Sequence, residues 1–378
     1  MRIAQVAPLY LSTPPGAYGG TERIVSLLTE ELVQRGHEVT LFATGDSRTA
    51  ARLVAGASRP LGFSHPFEAD AAHVAMLANV YARASEFDII HSHLDCVAAP
   101  FAAIHREAPT VFTLHMSLEL PAYREALNAF SGLNYVSISE NQRAPAPNLN
   151  WVATVYHGLD TQSYPFGERP GAYLLFVGRI SPEKGPERAI HIAQQCSIPL
   201  KIAAKIDPKD RGFFDRSVMP LLDNPLIEYL GPVDERKKRA LMKDALALLL
   251  PIRWNEPFGL VFVEALACGL PVLTCPQGSA PELLRDGITG FMRETDDELA
   301  EVARQVGSIS RAGCRAWAQE RFDASHMARK YLEVYKVITS APTPPRRRTS
   351  LELPDFTQTH QNSTPPQSNP SSRYQRNE

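Results

Sequence analysis

RWNEPFGLVFVEALACGLPVLT, residues 253–274, passes from a polar loop through an unbroken apolar run and on to a short strand pattern. Glu256 falls in the loop, Pro257 and Gly259 permit a tight start to a helix over Leu260 to Ala267, and Gly269 is its natural stop. Glu264 is thereby a carboxylate set within an apolar helix. Burying it ionised and unpaired costs several kcal/mol, so a partner is required, either a protein cation or the hydroxyls of a ligand. The amides of Phe258, Gly259 and Leu260 point out of the helix start, where partial positive charge favours phosphate or sugar oxygens. Taken alone, the two glutamates fit a helix-start carboxylate and a salt-bridged glutamate equally well.

Working outward, FVGRISPEKGPERAI (176–190) reads as a strand, then Gly178 and Arg179, a short loop with Lys184 and Gly185, and Pro186 opening a helix. Two cations at the carboxyl end of a parallel strand lie where open α/β sheets bind ligands. Arg grips a diphosphate through paired hydrogen bonds and Lys serves as a mobile point charge; a solvated loop pair is the plainer reading. Nearer the start, AYGGTE (17–22) sits between a strand and a helix, and Gly19 and Gly20 would let backbone amides approach an anion. It lacks the spaced glycines of a dinucleotide fingerprint, so an ordinary turn accounts for it as a lone signal.

The same strand–helix alternation fills the chain. RIAQVAP, TERIVSLLTEELVQRG and EVTLFAT are followed by the strand candidates FDIIHSH, PTVFTLH, LNYVSIS and WVATVYH, which together make one doubly wound half. LDTQSYPFGERPGA (159–172) breaks the periodicity and suits an exposed connection between domains. The pattern restarts with AYLLFVGRI, PERAIHIAQQC, PLKIAAKI, LIEYLGPV, DERKKRALMKDA, LALLLPIR and PVLTCPQ, a second α/β half. We therefore expect a first domain over residues 1–165, a second over 166–323, and a disordered tail over 341–378, where Pro, Ser, Thr, Gln and Asn cannot bury enough apolar surface to offset ordering. The Arg346 to Arg348 run in that tail reads as a solvated charge cluster.

Length and charge agree. At roughly 150 residues per domain, 378 residues suffice for two cores, and 39 Lys plus Arg against 41 Asp plus Glu give no global reason to bind nucleic acid. Five cysteines without paired spacing argue against a disulfide scaffold and for a reducing compartment. Gln5 interrupts the short apolar run at the start, and no stretch has the length of a membrane span, so a soluble cytoplasmic protein is expected.

Together these residues resemble the retaining glycosyltransferases of family 4, which have the GT-B fold: two Rossmann-like domains facing across a cleft. The resemblance rests on Glu256, seven residues, then Glu264 within NEPFGLVFVEALACGLPV, on Gly178-Arg179 and Lys184-Gly185, and on Gly19-Gly20, and it runs in order to about residue 340. It implies that Arg179 and Lys184 hold a donor diphosphate. Glu264 would accept from ribose hydroxyls, and Glu256 from the transferred sugar, aided by the amides of Phe258, Gly259 and Leu260. The Gly19-Gly20 loop would lie beside the phosphates, His115 near the reacting sugar, and Leu230, Gly231 and Val233 along the base. It also implies a final helix, about 324–338, crossing back to the first domain.

Two positions depart from the family pattern. His157 stands where Asn is usual, and Gly278 stands alone where paired glycines are common; Ser279 with Glu282 equally suits a helix capping box. His91, His93 and Asp95 have a spacing that can ligate zinc, but no second cluster accompanies them, and no Asp-x-Asp occurs anywhere. Eight helical steps would hold Glu256 and Glu264 roughly 12 Å apart, beyond the spacing of glycosidase carboxylate pairs. The resemblance thus implies a metal-independent, retaining transfer of a hexosyl group from a UDP- or GDP-linked sugar. The acceptor would be a carbohydrate, lipid or small molecule, read by loops at 50–72 and 116–129, with room for peripheral contact with a membrane. A nucleotide-sugar epimerase, a phosphorylase or a non-catalytic nucleotide-sugar-binding protein are the alternatives on the same fold.

Overall fold

The computed structural model of the protein describes residues 1–16, 19–64 and 66–340. The tail expected to be disordered, with Arg346 to Arg348, lies outside the described residues, as do Ala17 and Tyr18 of the first glycine loop.

Seven strands form one sheet: β1 (Arg2–Val6), β2 (Glu38–Thr44), β3 (Arg52–Ala57), β4 (Ile89–Ser92), β5 (Thr110–Thr113), β6 (Asn134–Ser137) and β7 (Trp151–Thr154). Their order is β3-β2-β1-β4-β5-β6-β7, every neighbouring pair parallel. Six more, β8 (Leu174–Arg179), β9 (Leu200–Lys205), β10 (Ile227–Tyr229), β11 (Ala247–Leu250), β12 (Val272–Thr274) and β13 (Gly290–Met292), make a second parallel sheet in the order β10-β9-β8-β11-β12-β13. Helices cover both faces of a parallel sheet, so its central strands are buried throughout, as ALLL of β11 and TVFT of β5 are. Strand order reverses between β1 and β4 in one sheet and between β8 and β11 in the other. Ligand crevices open at such reversals, beyond the carboxyl ends of the strands.

The helix Ala324–Ser340 extends slightly past its expected end and packs on the helix Gly20–Gln34 of the first half. Its Tyr331 and Tyr335 hydroxyls reach Thr113 and His91 at 2.7 Å each, beneath the first sheet. A single apolar core accordingly takes in Ile3, Ile24 and Val111 together with Leu248, Phe262 and Tyr335.

Three expectations need correction. Residues 159–172 are not simply an exposed connection: Leu159, Thr161 and Tyr164 are buried, and Leu159 bridges to Asp323 at the foot of the last helix. The polar and Pro/Gly residues that broke the periodicity mark a change of direction, while the apolar ones between them still need cover. The segment 50–72 is not a loop, since it holds the edge strand β3 and the start of the helix Pro66–Ala82. Likewise 116–129 contains the helix Pro121–Asn128. The six-residue strand β3 and the eight-residue helix Pro121–Asn128 are too short for a period to stand out.

Candidate active site

β8 ends at Arg179 and the loop after it carries Lys184, while the loop after β11 carries Trp254 and Glu256; these strands are neighbours, so the loops meet. Lys184 Nζ forms an ion pair with Glu256 Oε2, both side chains being largely shielded, and stands 5.0 Å over the Trp254 ring. The Trp254 indole donates to the same carboxylate oxygen at 3.1 Å. Arg179, at the last position of β8, pairs with Glu183 and lies 3.6 Å from Asp207 and 3.5 Å from Asp210. Burial works against its charge, but Glu183 and the two aspartates more than compensate and raise the guanidinium above its ordinary pKa. Lys184 and Glu256 are therefore in contact, with Arg179 five residues before Lys184 in its own acidic surround.

The helix Leu260–Ala267 begins at Gly259, whose φ of 77° lies in the left-handed region, where glycine is the easiest residue to place. A side chain there would also press on Phe262. The segment after β12 braces the Glu256 loop from below. The Ser279 amide donates to Glu256 O at 2.9 Å and the Ser279 hydroxyl to Phe258 O at 2.7 Å. Gly278, with φ 59°, packs so closely under Glu256 that a Cβ would land on its backbone. The capping box weighed for Ser279 and Glu282 does not form. The Ser279 hydroxyl is spent on Phe258, and Glu282 instead accepts from the amides of Glu140 and Asn141 at 2.7 Å each and from the Tyr156 hydroxyl at 3.0 Å.

Glu264 is 2 % exposed, and its partners are protein cations: Arg23 of the helix Gly20–Gln34 and, at 2.9 Å, Lys238 of the helix Glu235–Asp244. Burial pushes its carboxyl upward, yet the two cations prevail and hold it below the usual value. Arg23 comes from the first half of the chain and Glu264 from the second, so this ion pair joins the two halves. Neither cation was singled out in the sequence. Arg23 follows the glycine pair on an ordinary amphipathic helix, and Lys238 lies in the charged run ERKKR, where nothing marks it from its neighbours. Gly20, at the start of the same helix as Arg23, faces the Leu260 side chain, which a Cβ would approach to 3.5 Å, and Gly19 immediately precedes it. Gly20 therefore meets the opening of the Leu260–Ala267 helix from the opposite half, while Gly19 packs against Leu11 and Pro15 of its own half. Gly178 lies within β8, while Leu230, Gly231 and Val233 follow β10 at the sheet edge, away from the Lys184–Glu256 contact in strand order.

His115 follows β5, half-buried, and its Nε2 is 2.8 Å from Nδ1 of the buried His93. Its ring stacks on His157 at 5.1 Å, and His157 meets Phe258 edge-on at 4.9 Å. The departure at His157 thus completes a row of rings from the first sheet to the loop before the Leu260 helix. Gln142 Nε2 donates to Leu114 O at 2.9 Å and to Met116 O at 2.8 Å, holding the backbone on either side of His115. Burial lowers all four imidazoles, His91, His93, His115 and His157, and takes His115 to about 3. His91, His93 and Asp95 do not converge as ligands: among the described residues no group of three His, Cys, Asp or Glu side chains is disposed to hold a metal ion. His91 is turned to Tyr335 and Thr113, and Asp95 accepts weakly from the His115 amide at 3.3 Å.

Comparison with known proteins divides the chain in two. Residues 18–167 match the family model described as Glycosyltransferase Family 4, and residues 167–310 that of Glycosyl transferases group 1. The chain is 25% identical over 380 residues to a phosphatidyl-myo-inositol mannosyltransferase of Mycobacterium leprae, covering 90% of this chain and 98% of that one. It is 28% identical over 362 residues to a glycogen synthase of Mycobacterium tuberculosis, covering 82% and 86%. Among solved structures, Anabaena HepE in complex with UDP-glucose superposes with a TM-score of 0.67 at 20% identity, covering 90% of this chain and all of that one. No helix among the described residues is long and apolar enough to cross a membrane.

Proposed function

Because the chain belongs to glycosyltransferase family 4 and is built on the GT-B fold, we propose that it moves a hexosyl group from a UDP- or GDP-linked sugar to an acceptor hydroxyl, with retention at the anomeric carbon and without a metal ion. The observation that carries this reading is the meeting of Lys184 and Glu256 at the carboxyl ends of β8 and β11, beside a helix start that Gly20 faces from the other half, with Arg179 closing β8 five residues before Lys184. A neighbour solved with UDP-glucose, and relatives named for mannosyl transfer and glycogen synthesis, support a nucleotide-linked hexose as donor.

The chemistry follows from the charges. A diphosphate entering the crevice takes Lys184 as its partner and releases Glu256 to accept from a sugar hydroxyl. Arg179 exchanges one of its carboxylates for a phosphate, and the amides at Gly259 and Leu260 add a helix-start dipole. As the bond from the anomeric carbon to the β-phosphate oxygen breaks, negative charge collects on that oxygen, where fixed cations stabilise it. The acceptor oxygen bonds to the same face of the carbon, and its proton passes to the departing phosphate. Carbohydrate, lipid and small-molecule acceptors all meet this requirement, in glycan, glycolipid or cell-envelope polysaccharide synthesis. The reaction would run in the cytoplasm, with peripheral membrane contact where the acceptor is a lipid.

Labelled UDP-glucose and GDP-mannose, offered with an acceptor panel, test it. The expected product is an acceptor glycoside of retained configuration. Arg179→Ala and Lys184→Ala should each lower turnover by about a hundredfold or more with the fold intact. Transfer that survives both changes, or an epimerised sugar nucleotide formed without acceptor, would contradict the assignment.

A further inference from the structure

Gln5, His93 and His115 form a hydrogen-bonded line from the middle of the first sheet to the end of β5, where His115 stacks on His157. Gln5 lies on β1 opposite His91 of β4, and both side chains are fully buried. Gln5 Oε1 is 2.9 Å from His93 Nε2, and His93 Nδ1 is 2.8 Å from His115 Nε2. At its other end the Gln5 amide nitrogen donates to the Tyr335 hydroxyl at 3.1 Å. That hydroxyl is 2.7 Å from His91 Nδ1, and His91 Nε2 is 2.7 Å from Thr113 Oγ1.

The proton positions in this line depend on one another. A carboxamide oxygen only accepts, so His93 carries its proton on Nε2. Burial keeps His93 uncharged, which leaves its Nδ1 as a lone pair. The contact to His115 then requires the proton of His115 on Nε2. His115 Nδ1, on the side of the ring away from His93, is left bare. Nothing in the line is free to swing: Gln142 holds the backbone around His115, and His157 covers its ring.

We propose that Gln5 and His93 are positioning residues that fix the tautomer of His115, protonated at Nε2 and open at Nδ1, so that this ring accepts a hydrogen bond from a hydroxyl of the bound sugar and donates none. The sugar rests on the glycosyl-transfer reading above, whereas the tautomer does not.

Two-bond proton–nitrogen spectra of the full-length protein labelled with 15N-histidine read the tautomer directly. Nδ1 of His115 should resonate as a bare ring nitrogen and Nε2 as a protonated one, without change from about pH 6 to 8, because the ring titrates far below that range. In Gln5→Leu and in His93→Leu the two nitrogens should average between tautomers. His93→Asn, whose side-chain oxygen stands in for the lost Nδ1 acceptor, should restore the pattern. Turnover should follow, with kcat about ten- to a hundredfold lower in the leucine variants, donor KM little changed, and most of the loss recovered in His93→Asn. His115 protonated on Nδ1 in the unsubstituted protein would mean that the Gln5 carboxamide is turned the other way, and would overturn the proposal. A His115 spectrum unaltered in both leucine variants would do the same. The unsubstituted spectrum decides even if a leucine variant does not fold. The expected spectrum beside an absence of transfer from any nucleotide sugar would remove the reaction and leave the tautomer control standing.

Discussion

Glu264 shows how much a single buried carboxylate organises. Arg23 and Lys238 converge on it, and removing it leaves two partly buried cations sharing only the more exposed Glu235, which lies 3.5 Å from Arg23 and 2.6 Å from Lys238. Breaking a buried pair costs about 3 to 5 kcal/mol, and the residual exposure of both cations places Glu264→Ala at the lower end. A urea midpoint unchanged in that variant would show that the cluster adds nothing to stability. The four imidazoles make a separate prediction. Their folded pKa values lie below the ordinary 6.5, so the unfolded chain binds more protons at acid pH. Their stabilisation is complete above about pH 6.5 and is lost as the pH falls toward the folded values, by up to about 1.4 kcal/mol per pH unit for each histidine. The stabilisation from Glu264, also depressed, is complete above about pH 4.5 and is lost only as the pH falls below it. Urea unfolding should therefore weaken steeply between about pH 6.5 and 5, and a flat profile there would contradict the buried, uncharged row. Of this, the need for a partner at Glu264 was legible in the sequence, because a charge in an apolar helix has few alternatives. The identity of the partner was not: Arg23 is 241 residues away, and only the fold brings it near.

Among the elements, the segment after β12 is the brace of the site. Gly278→Ala would push a methyl group into the backbone of Glu256 and would also strain a left-handed φ. The combined penalty should exceed about 1 kcal/mol. Its larger effect is expected on turnover, through displacement of the carboxylate that pairs with Lys184. Steady-state kinetics beside thermal unfolding separates the two, and unaltered turnover would show that the Glu256 loop does not depend on this support. The helix Leu260–Ala267 and the strand ending at Arg179 were readable residue by residue, because a proline, a glycine and an apolar run mark each boundary. The edge strand β3 and the three-residue β13 were not, since they are half-buried or too short for a period to show. Ser279 and Glu282 had the right spacing for a cap, but tertiary partners took both side chains.

Across the whole molecule, a small set of polar contacts joins the two halves. Besides Arg23–Glu264, Asn255 Nδ2 donates to Glu119 Oε1 at 2.5 Å, and Glu282 holds the Glu140 and Asn141 amides and the Tyr156 hydroxyl. Glu282→Ala leaves three donors without their acceptor and should cost about 1 to 3 kcal/mol, partly recovered in Glu282→Gln. Equal urea midpoints for the alanine variant and the parent would show that these bonds exchange freely with water. The strand–helix alternation made two doubly wound halves legible from the start, but contacts between halves leave no periodic trace in a sequence. Charge in place of a metal is the central claim, and calorimetric titration of UDP and GDP into the parent protein and Lys184→Ala, with EDTA throughout, tests it most directly. The account predicts that the parent binds one of the two nucleotides undiminished by EDTA and that the variant binds it about tenfold or more weaker, the loss of one charge-assisted hydrogen bond. Binding that requires added Mg²⁺, or that is equal in the two proteins, would contradict it.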